Sequence, residues 1–195
     1  MKRGIILSVL FLAVCICFSN ISQAGNLTIG GTLEDFKLPD TNGKELAFKD
    51  LAGKKGTIIV FVSAQCPVVK AYNERISQLA ADYKDKGINV VGINSNSTES
   101  VEWVKAHATE NYKFPILIDK GNVIADKLAA NATPEMFLFD ADNKLVYHGA
   151  IDNDRSGANI TNNFLRTALD EFLAGKPITK AETKAIGCTI KRKDS

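Results

Sequence analysis

Cysteine and histidine are scarce in this chain. It has 195 residues, with four cysteines and two histidines. Four cysteines are too few for a fold that many disulfides hold together. His107 and His148 lie far in sequence from Cys66 and Cys188 and lack the spacing typical of metal ligands. We therefore expect no metal ion and no other cofactor.

The sequence also lacks an excess of charge of one sign. Lysine and arginine number 24, aspartate and glutamate 22, and the formal net charge is +2. There is no basic stripe with interleaved aromatic residues, so a nucleic-acid partner is not expected. No repeat or low-complexity segment divides the chain, and its length suits one compact domain with a proper core.

A long apolar run is absent as well, but a shorter one occupies residues 5–18 and follows a basic start. It is too short to span a bilayer comfortably, and the small-x-small sequence ending at Ala24 follows it. These features predict a signal peptide at residues 1–24, a periplasmic or secreted mature protein, and no stable membrane insertion. A lipoprotein modified at Cys15 or Cys17 is the alternative, although bulky residues precede both cysteines.

Two cysteines, Cys66 and Cys188, remain in the mature chain. Cys66 follows an apolar strand and begins a predicted helix, with Pro67 at the first helical position, where proline is favoured. The unpaired N–H groups and the positive dipole end of a helix start bias a thiol toward the nucleophilic thiolate. The pair is either a redox couple or one reactive thiol beside a bystander, and a buried structural role for Cys66 is the third possibility.

Strands and helices alternate along the rest of the chain. This alternation predicts helices on both faces of a sheet that ends in an antiparallel hairpin. Trp103 and the helical valines and leucines are expected in the core. The predicted elements are a hairpin at 35–48 around Asn42-Gly43, strands at 58–62, 88–93, 115–118, 135–139 and 144–148, and helices at 67–86, 98–108, 123–130 and 160–173.

The order of these elements, with Thr133-Pro134 opening the last hairpin, resembles the thioredoxin fold. More narrowly, the motifs at 66–72, 133–137, 149–152 and 187–191 resemble the exported peroxiredoxin-like redoxins of the AhpC/TSA type. The resemblance covers about residues 28–175. It implies an α/β, thioredoxin-like fold, with a central mixed sheet flanked by helices and an N-terminal hairpin extension. The implied division is a redoxin domain at 25–175 and a C-terminal tail at 176–195 that carries Cys188.

The same resemblance implies an exported thiol oxidoreductase. Cys66 is expected to attack a peroxide or a disulfide, and Cys188 is expected to act as the resolving thiol. The implied partners are that substrate and a thiol electron donor such as a thioredoxin-like reductase. A cis peptide bond is implied between Thr133 and Pro134. The residues expected to contact the substrate are Ser63, Pro67, Lys70, Thr133, Pro134 and Glu135.

Chain length permits the two cysteines to meet. The fourteen steps from Ala174 to Cys188 can span up to about 46 Å, whereas the last helix is only about 20 to 24 Å long. The tail can therefore return to Cys66 and form a disulfide with it during turnover. The alternative is a free thiol on a mobile tail.

The sequence departs from the patterns of related families at positions that bear on the reaction. Val69 replaces the second cysteine of thioredoxins, and Ile59 replaces a proline found in typical peroxiredoxins. Arg75 and Arg155 are both candidates for an arginine that would bind a peroxide. Two alternatives therefore stay open: a thiol–disulfide exchange enzyme that acts on proteins, and a redox-inactive binding module.

Overall fold

A computed structural model of the chain describes residues 26–192. The predicted signal peptide and its two cysteines lie outside this range. The helices are α1 (Phe48–Leu51), α2 (Pro67–Lys84), α3 (Val101–Asn111), α4 (Val123–Lys127) and α5 (Phe164–Leu173). The strands are β1 (Lys37–Pro39), β2 (Glu45–Ala47), β3 (Gly56–Phe61), β4 (Ile88–Asn94), β5 (Ile116–Ile118), β6 (Ala132–Thr133), β7 (Glu135–Asp140), β8 (Leu145–Gly149) and β9 (Cys188–Thr189). Between residues 26 and 192, no helix combines the length and the apolar character needed to cross a bilayer.

The central sheet has five strands in the order β5-β4-β3-β7-β8. β3, β4 and β5 run parallel, while β7 runs antiparallel to β3 and β8 runs antiparallel to β7. β1 and β2 form the N-terminal hairpin, in which Gly43 takes a φ of +81° that suits glycine. The α/β class, the mixed sheet and the hairpin extension are confirmed.

Both faces of the sheet are buried, and β3 shows this clearly. Its side chains alternate between the faces, as the period of a strand requires. Ile58 and Val60 join the core that also contains residues of α2, α3 and α5. Ile59 and Phe61 join the opposite core, which contains residues of α1 and α4. The helices thus cover the two faces of the sheet, as the alternating sequence predicts.

α3 begins at Val101, three residues later than predicted, because Ser100 caps it. The Ser100 hydroxyl accepts a hydrogen bond from the backbone N–H of Trp103 at 3.3 Å. In α3, Val104 faces the core, whereas Trp103 lies on the outer side of the helix and is 53% exposed. The prediction that Trp103 belongs to the core is therefore wrong.

α5 begins at Phe164 rather than near residue 160. The backbone N–H groups of Thr161 and Asn162 donate to the side-chain oxygen of Asn153 at 3.0 and 2.8 Å. These two residues are therefore held in a loop by a side chain, and the helix starts after them.

Residues after α5 return along the molecule and pack against it. Thr183 and Ala181 exchange backbone hydrogen bonds with His148, at the outer edge of β8. Further along, β9 pairs antiparallel with β6, so that Cys188 lies opposite Thr133. Neither two-residue strand was expected from the sequence. The segment predicted as a tail is therefore part of the packed domain as far as residue 192.

Candidate active site

Cys66 is the N-cap residue of α2, and Pro67 follows at its first position. The cysteine is 3% exposed and belongs to the core beneath α2. A disulfide joins it to Cys188, across 122 residues of sequence, and the two Cα atoms are 6.0 Å apart. The two cysteines that the sequence singles out thus meet at a helix start, where a thiolate released from the disulfide is stabilised by the helix dipole.

The loop that precedes Cys66 is held by Glu99. The Ser63 hydroxyl donates to Glu99 Oε1 at 2.5 Å. The backbone N–H groups of Ala64 and Gln65 donate to the same carboxylate at 3.0 and 2.9 Å. Ser63 Oγ in turn accepts from the N–H of Cys66 at 3.1 Å. The hydroxyl of Ser63, a predicted substrate contact, therefore donates its hydrogen bond to Glu99 and orients the backbone of Cys66.

Glu99 was not predicted from the sequence as a site residue, although its position in the sequence gives one indication of this role. It follows β4 closely, and β3 and β4 are parallel neighbours. The residues after two parallel neighbouring strands meet at one edge of the sheet. Asn94, the last residue of β4, supports the arrangement, because its side-chain N–H₂ donates to Glu99 Oε2 at 2.6 Å and to the Val62 carbonyl at 3.1 Å.

The Thr133-Pro134 loop forms the opposite wall of the site. The peptide bond between these residues is cis, as the resemblance implies. Cys66 Sγ lies 3.3 Å from the Thr133 carbonyl oxygen. Glu135 is buried, and its Oε2 accepts from the N–H groups of Asn131 and Ala132 at 2.8 and 3.1 Å. Glu135, predicted as a substrate contact, thus stabilises the loop that presents Thr133.

Residues 181–192, which we call the strap, bring Cys188 to this wall. The Thr133 hydroxyl donates to the Cys188 carbonyl at 3.4 Å, and the Ile190 N–H donates to the Asn131 carbonyl at 2.9 Å. Gly187 packs so closely on Thr133 that a Cβ atom would overlap the Thr133 carbonyl oxygen. Glycine is therefore required directly before Cys188.

The remaining predicted residues lie at the rim. Pro67 and Lys70 are exposed on the first turn of α2, where the Lys70 N–H donates to the Cys66 carbonyl at 3.1 Å. Among residues 26–192, no ion pair includes Lys70. Lys70 is thus a cation at the rim of the site that no carboxylate of these residues pairs with.

Arg75, one of the two candidate peroxide-binding arginines, forms its hydrogen bonds with other groups of the protein. It forms an ion pair of 2.6 Å with the buried carboxylate of Asp152. Its two terminal nitrogens also donate to the carbonyl oxygens of Asp154, Ala71 and Arg155, at 2.7, 3.3 and 2.7 Å. Arg155, the other candidate, is exposed, and its carbonyl oxygen is one of the acceptors of Arg75. Arg75 serves to attach α2 to the loop after β8.

Titration of the tyrosine beside this ion pair is suppressed. Burial, together with the Asp152 carboxylate, raises the pKa of Tyr72 to about 12. The Tyr72 hydroxyl donates to Asp152 Oδ1 at 3.0 Å, and the Arg75 guanidinium stacks 3.7 Å above the ring. The tyrosine therefore stays neutral at physiological pH. Over the described part of the chain, no cluster of three or more histidine, cysteine or acidic side chains is arranged to bind a metal.

Comparison with known proteins places this site in context. A model of the AhpC/TSA family matches residues 29–148. The thiol-disulfide oxidoreductase ResA of Bacillus cereus (strain ZK / E33L) is 31% identical over 122 residues, which are 62% of this chain and 68% of the relative. The crystal structure of an uncharacterized conserved protein from Geobacillus kaustophilus is 35% identical, with a TM-score of 0.80, and the match covers 87% of this chain and 94% of that one.

A more distant structure bears on the fold alone. Peroxidoxin BcpB of Mycobacterium tuberculosis is 21% identical, with a TM-score of 0.59 over 76% of this chain and 96% of that one. This likeness confirms the thioredoxin-like fold. A fold of this kind serves more than one chemistry, so the reaction depends on the side chains at the site.

Proposed function

This chain belongs to the AhpC/TSA family, and from that premise we propose that it is an exported thiol–disulfide oxidoreductase that cycles the Cys66–Cys188 disulfide. It is an enzyme of the thiol oxidoreductase class, as its family and its relatives named thiol-disulfide oxidoreductase indicate. The proposal adds the roles of the two cysteines, a disulfide as the preferred substrate, and a periplasmic or secreted location.

One observation carries the proposal: Cys66 caps a helix and is joined to Cys188 beside Thr133. A helix N-terminus stabilises a thiolate, which is both the attacking and the leaving form of sulfur. A second cysteine within bonding distance allows the enzyme to release its product without a further thiol. Together these features provide a complete two-cysteine exchange centre, despite the missing cysteine at Val69.

The reaction follows from this placement. In the reduced enzyme, the Cys66 thiolate attacks one sulfur of the substrate disulfide. The substrate S–S bond breaks, one substrate sulfur leaves as a thiolate, and the other stays bonded to Cys66. The Cys188 thiolate then attacks Cys66 Sγ and expels the second substrate sulfur as a thiolate. The substrate has gained two electrons, the Cys66–Cys188 disulfide has formed, and an external thiol donor returns the enzyme to its reduced form.

Disulfide exchange is favoured over peroxide reduction by the side chains around Cys66. A fast peroxidase needs donors that bind the peroxide oxygens and stabilise their developing charge. The Ser63 hydroxyl donates to Glu99, and the terminal nitrogens of Arg75 donate to Asp152 and to three carbonyl groups. Disulfide exchange requires chiefly an accessible sulfur and a good leaving thiolate. Cys188 is partly exposed, and the N-terminus of α2 stabilises Cys66 as a thiolate.

The test compares the two oxidants with one enzyme. The reduced protein is mixed with equal concentrations of oxidised glutathione or hydrogen peroxide, and formation of the Cys66–Cys188 disulfide is followed by mass spectrometry. We expect glutathione disulfide to oxidise Cys66 faster than it oxidises free cysteine. The Cys188→Ser protein should accumulate glutathione on Cys66, and the Cys66→Ser protein should react at Cys188 no faster than free cysteine does.

Two results would contradict the proposal. A rate with glutathione disulfide no higher than that of free cysteine would indicate a redox-inactive binding module. A rate with hydrogen peroxide several orders of magnitude above that of free cysteine would assign a peroxidase instead.

A further inference from the structure

We propose that the strap stays docked when the disulfide is reduced, and that the external thiol donor reaches the pair through Cys188 rather than Cys66. The proposal rests on the proposed function and adds to it the face on which the reducing partner binds. That partner is a protein with two thiols, one of which is presented as a nucleophile.

The two sulfurs differ in access. Cys66 is 3% exposed, and its Sγ lies between Cys188 and the Thr133 carbonyl oxygen. Cys188 is partly exposed, and Gly187 and Thr189 on either side of it are exposed. Thiol–disulfide exchange depends on which sulfur an incoming thiolate can reach. Cys188 is the more exposed of the two cysteines, so we assign the attack to its sulfur.

Upstream of Cys188, the strap is anchored by Thr183. Its N–H donates to the His148 carbonyl at 3.0 Å. Its hydroxyl accepts from the Ala150 N–H at 2.9 Å and lies 2.7 Å from the Tyr147 hydroxyl. Burial raises the pKa of Tyr147 to about 12, so this tyrosine keeps its proton. Gly149 packs directly against Thr183, with no room for a Cβ atom between them. This anchor does not involve the disulfide.

Downstream of Cys188, a second anchor begins two residues later. Ile190 is 2% exposed and belongs to the core on the α4 side of the sheet. The Lys191 N–H donates to Asn96 Oδ1 at 2.9 Å, and the Ser97 N–H donates to the Lys191 carbonyl at 2.8 Å. Arg192 pairs with Asp126 at 2.8 Å. The strap is thus held on both sides of Cys188 by contacts that remain when the S–S bond breaks.

Two consequences follow from this double anchoring. The reduced Cys188 thiol stays beside Cys66, so the disulfide can form again without a search by a free tail. The backbone edge of Thr133 is paired with the strap in both redox states, so an extended peptide from another protein cannot pair there. The reducing protein therefore meets Cys188 first.

The reductive step balances as follows. A donor thiolate attacks Cys188 Sγ, the Cys66–Cys188 bond breaks, and Cys66 leaves as a thiolate stabilised by the α2 N-terminus. The donor is then bonded to Cys188. Its second thiolate attacks the donor sulfur of this mixed disulfide, and Cys188 leaves as a thiolate that takes a proton from water. The donor has lost two electrons and departs as a disulfide, and the enzyme has gained them.

The decisive experiment traps the first mixed disulfide. The oxidised protein is mixed with reduced thioredoxin in which the second active-site cysteine is replaced by serine, so that only one nucleophilic thiol remains. The reaction is stopped with N-ethylmaleimide, and the linked peptides are identified by mass spectrometry. We expect thioredoxin on Cys188 and N-ethylmaleimide on Cys66. The reverse assignment would overturn the route through Cys188 while leaving the proposed function intact. If dithiol thioredoxin fails to reduce the protein, this inference is wrong, and the proposed function is then decided by the comparison of glutathione disulfide with hydrogen peroxide.

Docking of the strap is tested separately by hydrogen exchange. Backbone amides of residues 181–192 are compared between the oxidised protein and the Cys66→Ser, Cys188→Ser double variant, which cannot form the disulfide. We expect protection of these amides to fall by less than about tenfold. The Ile190→Asp substitution in the double variant places a charge in the core, and it should remove the protection of the strap. Loss of protection in the double variant itself, to the level seen with Ile190→Asp, would overturn the docked strap.

Discussion

The two cysteines of the candidate site are positioned by two different kinds of structure. Cys66 lies where β3 passes into α2, and the residues that orient it include the preceding loop and Glu99. Cys188 lies on a strap that is held by hydrogen bonds to distant segments, such as those to Thr133 and Asn131. The first cysteine belongs to the core of the fold, and the second is brought to it by the end of the chain.

This difference separates two demands of thiol exchange. The attacking sulfur needs a rigid position at a helix N-terminus, and core packing provides that rigidity. The second sulfur needs access to a partner and proximity to the first, and a strap anchored on both sides of Cys188 provides both. Four predictions test whether the two positions really have these separate roles.

The largest effect is expected from the cysteines themselves. Cys66→Ser removes the nucleophile, and we expect the exchange rate to fall by about a thousandfold or more. Cys188→Ser should leave the first bond-forming step nearly unchanged and stop the reaction at a mixed disulfide on Cys66. Single-turnover kinetics with intact-mass detection distinguish the two variants. Equal loss of the first step in both would mean that the cysteines do not have separate roles.

The next largest effect concerns the anchor of the strap. Ile190→Ala removes a buried side chain, which costs about 2–4 kcal/mol and increases local opening roughly thirty- to a thousandfold. Hydrogen exchange in the reduced protein should show this loss in the strap, while β3 and β4 keep their protection. Arg192→Ala, on an exposed part of the same segment, is the matched variant with a smaller effect. An equal loss of protection in β3 would show that the strap and the core open together.

A smaller effect is expected at the loop before Cys66. Glu99→Gln replaces a carboxylate oxygen by an N–H₂ group that faces other donors, which costs about 1–3 kcal/mol. Denaturant unfolding measures this loss, and Glu110→Gln, at the exposed far end of α3, makes the same change of charge as a control. The reactivity of Cys66 toward a small disulfide should change in Glu99→Gln while the protection of the strap does not. Equal stability of the two variants would rule out the role assigned to Glu99.

The smallest effect is a pH dependence of the free energy of unfolding, which arises from His107 of α3, where it contacts Asn73 of α2. Burial lowers the pKa of His107, outweighing the nearby Glu99 charge, which acts in the opposite direction. The folded protein therefore binds fewer protons than the unfolded chain, and stability falls as the pH drops below the unfolded pKa of about 6.5. Because His107 is only partly buried, the loss should be less than about 1 kcal/mol. Unfolding at about pH 5 and pH 7.5 should show a smaller difference in His107→Gln, and identical pH profiles would contradict the assignment.

Several parts of this arrangement were predictable because they depend on neighbouring residues. Continuous apolar runs marked β3 and β4, and the spacing of Tyr72, Ile76 and Leu79 marked the buried face of α2. Pro67 marked the helix start that places Cys66 at its N-cap. The resemblance to redoxins added the cis bond before Pro134 and the pairing of Cys66 with Cys188.

Other parts were not predictable, because they depend on what lies opposite in space. The two-residue strands β6 and β9 are too short to show any periodicity, and their pairing joins residues more than fifty positions apart. Trp103 has an apolar side chain, but the Ser100 cap rotates it toward solvent. Glu135 follows Pro134 in a motif that suggests substrate contact, and its carboxylate accepts hydrogen bonds from the backbone of the loop at Asn131 and Ala132.

The amino-acid sequence by itself determined the class of fold, the position of Cys66 at a helix start, and thiol chemistry as the expected activity. These follow from local periodicity, from proline and helix-end preferences, and from the scarcity of cysteine and histidine. Only the tertiary structure decided that Glu99 orients the loop before Cys66, and that residues 181–192 form an anchored strap. Both depend on contacts between segments far apart in the chain, and such contacts are determined by how the sheet brings its edges together.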